Sequence, residues 1–151
     1  MKLRFERLAE LHDRVGESLG RSDWITVDPS MIERFADATL DHQWLHVDAE
    51  RAAAGPFGTT IAHGFLTLSL LPAFFDTAFE IADTKMGINY GLNRVRFTDV
   101  VPAGSRLRAH FKLLAFDAIA GGAQMVVEAS IEREGATKPV CVAESVTRRY
   151  V

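Results

Sequence analysis

The sequence predicts an α+β fold in which a curved antiparallel sheet wraps around one long apolar helix. Two observations carry this. From Ile61 to Phe79 apolar residues cover nearly all faces of a helix: Leu66, Leu68, Leu70 and Leu71 with Phe65, Phe74, Phe75 and Phe79. A helix that is apolar all round is buried inside something. After it the pattern turns to alternation, with strand-like stretches separated by glycine and proline turns. Consecutive strands with one wet face read as an antiparallel sheet. One layer packed on the other is the simplest way to bury both.

The elements follow in order. Leu3, Leu8, Leu11 and Val15 fall near helical spacing, so an amphipathic helix is expected first, ended by Gly16 and Gly20. Trp24-Ile25-Thr26-Val27 is a short β-prone run. Asp28-Pro29 has the form of an N-cap followed by proline at the first helical position. The helix from Pro29 to about Thr39 then places Ile32, Phe35 and Ala36 on one face. A polar loop follows, and Asp48 caps a short helix over Ala49 to Ala54. Gly55-Pro56-Phe57-Gly58 is a break. Beyond the apolar helix, strands are expected over Ile88 to Phe97, Leu107 to Phe116, Met125 to Arg133 and Val140 to Tyr150. No repeat or linker divides the chain, so residues 1–151 are expected to form a single domain.

Composition narrows the function. A formal charge of −3 offers no general attraction to nucleic acid or to an anionic membrane surface. The stretch Gly64 to Phe75 is too short to span a bilayer and contains Pro72. The first residues, MKLRFERLAELHDR, alternate charge with apolar residues and do not form a secretory signal. Cys141 is the single cysteine, which fits a reducing compartment. A cytoplasmic protein is expected.

Polar, titratable and flexible residues are concentrated between Asp41 and Gly64. Loops held between core elements are where chemistry usually sits. Asp41 and His46 can hold one water between a carboxylate and an imidazole, and together move its protons. By spacing alone the plainer reading, a capping aspartate and a surface histidine, comes first. The neighbouring Ile61-Ala62-His63-Gly64-Phe65 favours chemistry: a glycine opens the apolar helix, where N–H groups lack helical partners and can face an oxyanion. His42 and His46 have zinc-helix spacing, but Gln43 stands where that motif has glutamate, so no metal is expected. Arg94 and Arg96 share a strand face; they can grip phosphates, though a solvated sheet face explains them as well. Ser69 lacks a nucleophile elbow, and Cys141 reads as core.

Asp41-His42-Gln43-Trp44-Leu45-His46, Ala53-Ala54-Gly55-Pro56-Phe57-Gly58 and Ile61-Ala62-His63-Gly64-Phe65 resemble the signature of MaoC-like (R)-specific enoyl-CoA hydratases, also called hydratase 2. The resemblance continues through Leu92-Asn93-Arg94-Val95-Arg96-Phe97 and Val101-Pro102-Ala103-Gly104-Ser105. The tryptophan and the Ile-Asn-Tyr-Gly-Leu-Asn strand are most similar to the single-domain NodN-like branch. The resemblance implies a hotdog fold, usually dimeric, and reversible hydration of a trans-2-enoyl-CoA to an (R)-3-hydroxyacyl-CoA. It implies Asp41 and His46 as the catalytic pair and the Gly64 amide as oxyanion donor. His63, Phe65, Asn89, Tyr90, Gly91, Arg94 and Arg96 are the expected substrate-binding residues. No cofactor is expected, because coenzyme A, or an acyl-carrier protein, arrives with the substrate. Where some relatives carry a serine in the central helix, Pro72 stands here. Two alternatives remain. A hotdog thioesterase would need a carboxylate on the central helix, and Gly64 to Phe75 has none. A non-catalytic acyl-thioester binding protein would use the same residues to orient a ligand without turnover.

Overall fold

The computed structural model describes residues 1–151. Its main sheet runs in the order β2 (Ser18–Arg21), β6 (Ser105–Ile119), β7 (Gly122–Arg133), β8 (Cys141–Tyr150) and β5 (Met86–Phe97), with β3 (Ile25–Val27) also on β6. All its pairings are antiparallel. Alternation in β7 buries Ala123, Met125, Val127, Ala129 and Ile131 on one face. That face packs on the central helical segment. Phe75 stacks on Phe111 of β6, ring centres 4.5 Å apart, and Phe79 meets the same ring edge-on. Fully burying an aromatic or aliphatic side chain contributes about 1.5–3 kcal/mol, so this layer dominates the core.

The central segment is broken. Helix α4 spans Gly64–Ser69 and α5 spans Leu71–Ala78. Pro72 has no N–H to donate, and the Leu70 N–H turns to the Thr67 carbonyl at 3.3 Å, which tightens the turn. The expected single helix to Phe79 is thus two helices ending at Ala78. Phe79 opens β4 (Phe79–Ile81) instead.

The N-terminus also departs from expectation. In place of one amphipathic helix it forms β1 (Leu3–Phe5) and a 3-10 helix over Leu8–Arg14. Leu3–Phe5 pairs in parallel with Phe79–Ile81, far away in sequence. That pairing satisfies the backbone and buries Phe5, which a surface helix would not do.

Helix α1 (Pro29–Thr39) has the predicted bounds, and Asp28 accepts the Met31 N–H at 2.8 Å. It ends at Leu40, whose φ of 64° lies in the left-handed region. Asp48 caps α3 (Ala49–Ala53) through the Arg51 N–H at 3.0 Å. No helix is long and apolar enough to cross a membrane.

Candidate active site

Asp41 follows the left-handed turn at Leu40, and His46 rides on α2, a single turn over Trp44–Val47. One backbone bond ties this loop to the segment leading into α4: the Ile61 N–H donates to the Leu45 carbonyl at 3.0 Å. The Ala62 N–H holds that segment to Val101, donating to its carbonyl at 2.8 Å. Trp44 anchors the turn from below, with the Arg51 guanidinium 4.4 Å from its ring centre.

The histidines have defined tautomers. His46 Nδ1 lies 2.7 Å from the Ile61 carbonyl, which can only accept, so Nδ1 carries a proton and Nε2 is the nitrogen that gains or loses one. His63 Nε2 likewise donates to the Asp41 carbonyl at 3.0 Å. His63 is 3 % exposed and its Nδ1 has no partner. Its ring is clamped between His46 and Phe35, whose ring centre is 4.9 Å away.

Asp41, with a side chain 53 % exposed, and His46 thus face outward while His63 lies behind them. One ligand-type atom from each of the three lies within 4.8 Å of the others. That spacing lets one water touch carboxylate and imidazole together. The same three could hold a cation by distance alone. For His63 to join through Nε2 it would lose that proton and its bond to Asp41. His42 takes no part; its Nε2 pairs with Asp37 at 2.8 Å.

Gly64 opens α4, and its N–H donates to no acceptor within the chain. A Cβ added there would meet the ring of Phe97 at 3.0 Å. A cavity of about 330 Å³ beside it is lined by His46, Gly64, Thr67 and Phe97 among others. Thr67 and Phe97 were not singled out from sequence. Thr67 is buried with an unpartnered hydroxyl, one helical turn past Gly64, so helical spacing could have found it. Phe97 gave no such signal. Ser69 bonds its own helix, donating to the Phe65 carbonyl at 2.6 Å.

The expected binding residues divide. Phe65 is exposed and meets Phe97 edge-on at 6.0 Å. Asn89, Tyr90 and Gly91 line a second cavity, about 340 Å³, against Leu68 and Pro72 of the central helices. Arg94 and Arg96 go elsewhere. They share a cleft with Glu128 and Glu144, and Arg94 pairs directly with Glu144 in the register. Their neighbours Val95 and Phe97 pair with buried Ala143 and Cys141 on the core side. Alternation therefore turns both arginines to the outer face of the sheet, so one chain does not bring them to Asp41.

Fold and site together define a hotdog domain with an aspartate–histidine pair beside the start of its central helix. Residues 10–136 match the family model of the MaoC-like domain. The chain is 52% identical to 3-hydroxyacyl-thioester dehydratase Z of Mycobacterium tuberculosis, over 95% of this chain and 96% of that protein. It is 50% identical to nodulation protein N of Rhizobium leguminosarum, over 93% and 89% respectively. Among solved structures, the R-hydratase PhaJ1 from Pseudomonas aeruginosa superposes with a TM-score of 0.75 at 25% identity, over 95% of this chain and 85% of that one. The chain belongs to the MaoC-like domain family.

Proposed function

We propose that this protein reversibly hydrates a trans-2-enoyl-CoA to the (R)-3-hydroxyacyl-CoA. The observation that carries this reading is the outward-facing Asp41–His46 pair, with the unpaired Gly64 N–H close by in the fold. Asp41 and His46 hold one water, and it loses a proton to the pair as its oxygen adds to C3 of the enoyl thioester. Negative charge moves to the thioester oxygen, where the Gly64 N–H stabilises it more strongly in the transition state than in the ground state. The pair then delivers a proton to C2. In the dehydration direction the same steps run backwards. The name of the mycobacterial relative, a 3-hydroxyacyl-thioester dehydratase, supports the reaction class. That of the pseudomonad R-hydratase supports the (R) configuration.

The proposal includes a homodimer. Strand β5 bonds only to β8, and its other edge is open. Met86, Ile88, Tyr90 and Leu92 are exposed along it. An open apolar edge is an aggregation hazard, and isologous pairing with a second copy removes it. Light scattering at micromolar concentration is expected to give twice the chain mass; a monomer counts against pairing at this edge.

Crotonyl-CoA tests the reaction, with the enoyl chromophore and free thiol followed in parallel. Loss of the chromophore without thiol release is the expected result. Thiol release would indicate a thioesterase, and no change in either would favour binding without turnover.

A further inference from the structure

Arg149 stands near the end of β8, opposite Gly87 of β5. Its guanidinium makes no side-chain hydrogen bond and no ion pair in the chain. Its Nε is sealed from solvent without an acceptor. An arginine carries five donors, and buried polar groups left unpaired are rare. Burial pulls its pKa below the ordinary value, and the charge of Asp76 works the other way. The group stays charged at any physiological pH. Gly87 makes the room for it: a Cβ there would stand 3.1 Å from Arg149 Nη1.

This guanidinium faces a cavity of about 210 Å³, walled by Phe75, Asp76, Asn89 and Thr147 among others. The cavity shares Pro72 and Asn89 with the 340 Å³ cavity, whose further walls include Leu68, Leu71 and Leu92. The two form one trough between the central helices and β5. Along the helices its walls run from Leu68, just past Thr67, to Asp76, about 12 Å at helical rise. The near part sets Leu68, Leu71 and Leu92 beside polar Ser69, Asn89 and Ser145, and the far end holds a cation with no hydrogen bond or ion pair, its Cζ 6.0 Å from the Phe75 ring centre. Asp76 at that end is exposed, so water screens its charge.

We infer that the trough holds the acyl chain and that Arg149 selects thioesters whose chain ends in a carboxylate. This rests on the thioester reading above. A planar guanidinium can take a carboxylate through two parallel bonds from its Nη atoms. A terminal methyl would displace water from those donors and offer no acceptor in return, so the penalty falls on the plain fatty acyl group.

The test compares kcat/KM for pairs of 2-enoyl-CoA substrates of six, ten and sixteen carbons, ending in methyl or in carboxylate. Crotonyl-CoA is the reference for each protein. In the wild type, the carboxylate-to-methyl ratio is expected to rise with chain length to roughly tenfold to hundredfold. Arg149→Gln should bring it to one or below, Arg149→Lys should keep part of it, and Asp76→Asn should raise it. The ratio divides out any general loss of folded protein. If the wild type does not turn over crotonyl-CoA, the hydration reading fails. If it does, a ratio near one at every length overturns the assignment of Arg149, even where Arg149→Gln does not fold. A high ratio that Arg149→Gln leaves unchanged overturns it too.

Discussion

The imidazole of His63 lies flat against that of His46, ring centres 3.8 Å apart and planes inclined by 22°. The contact fixes the plane of His46, while the His63 Nε2–H tethers the Asp41 backbone. One buried ring thus locates both members of the outward-facing pair. His63→Phe keeps a flat ring but removes the tether; His63→Ala removes both. We expect His63→Phe to lower kcat roughly tenfold, about one hydrogen bond's worth, and His63→Ala to lower it further. If His63→Phe turns over like the wild type, the tether is not needed.

Asp41→Asn and His46→Gln each remove one proton-handling group and keep the shape. Each should lower kcat by roughly 10²–10⁴. If both serve one water, the double variant should be little worse than either single. Strictly additive losses would argue for separate tasks.

Gly64→Ala meets a neighbour that sequence did not reveal. Its methyl would press on the Phe97 ring, which is 45 % exposed and can swing outward. The variant should therefore fold, and lose about 2.7–4 kcal/mol of transition-state stabilisation if the amide is misplaced. The double variant Gly64→Ala/Phe97→Ala separates the causes. Recovery would show that the displaced ring blocks the site; no recovery supports the loss of the amide donor. Full activity in Gly64→Ala with an unchanged melting temperature would remove the residue from the site.

The Asp41–His46–His63 cluster calls for a metal test despite the hydration reading. Activity should survive exhaustive chelation, and elemental analysis should find no stoichiometric zinc. Loss restored by one particular divalent ion would make these three residues ligands.

Burial pushes the Cys141 thiol from its ordinary 9.0 up to about 11. The neutral thiol is thus favoured in the folded state, so its contribution to stability is complete below pH 9 and declines as pH rises toward 11. Urea titrations across that window should show the decline, and Cys141→Ala should flatten it. At neutral pH the folded protein should resist iodoacetamide. Rapid labelling of folded protein would contradict the burial.

Local chemistry was the readable part of this fold. Asp28-Pro29 marked the start of α1, and the residues that form the pair at Asp41 and His46 were visible in one short segment. The misread parts depend on partners distant in the chain. Leu3 falls near helical spacing with Leu8, Leu11 and Val15, but pairing with Phe79–Ile81 makes Leu3–Phe5 a strand. Period two grouped Arg94 with Arg96 correctly, yet it cannot say which face meets the core. Register shifts at Asn89/Gly91 and Leu92/Arg94 make that harder still, since each extra residue inverts the alternation. Phe97 and Arg149 become neighbours of the central helices only through this register.

Leu40 gives the site an unusual exposure to selection. A left-handed leucine costs roughly 1–2 kcal/mol, and this one is 82 % exposed, so little burial offsets the cost. Asparagine tolerates the same conformation better. A population screened only for heat resistance should therefore drift away from leucine at this position, one residue before Asp41. A screen for turnover has no such reason to move. Running both screens on one library would reveal whether heat tolerance and catalytic speed compete at this turn.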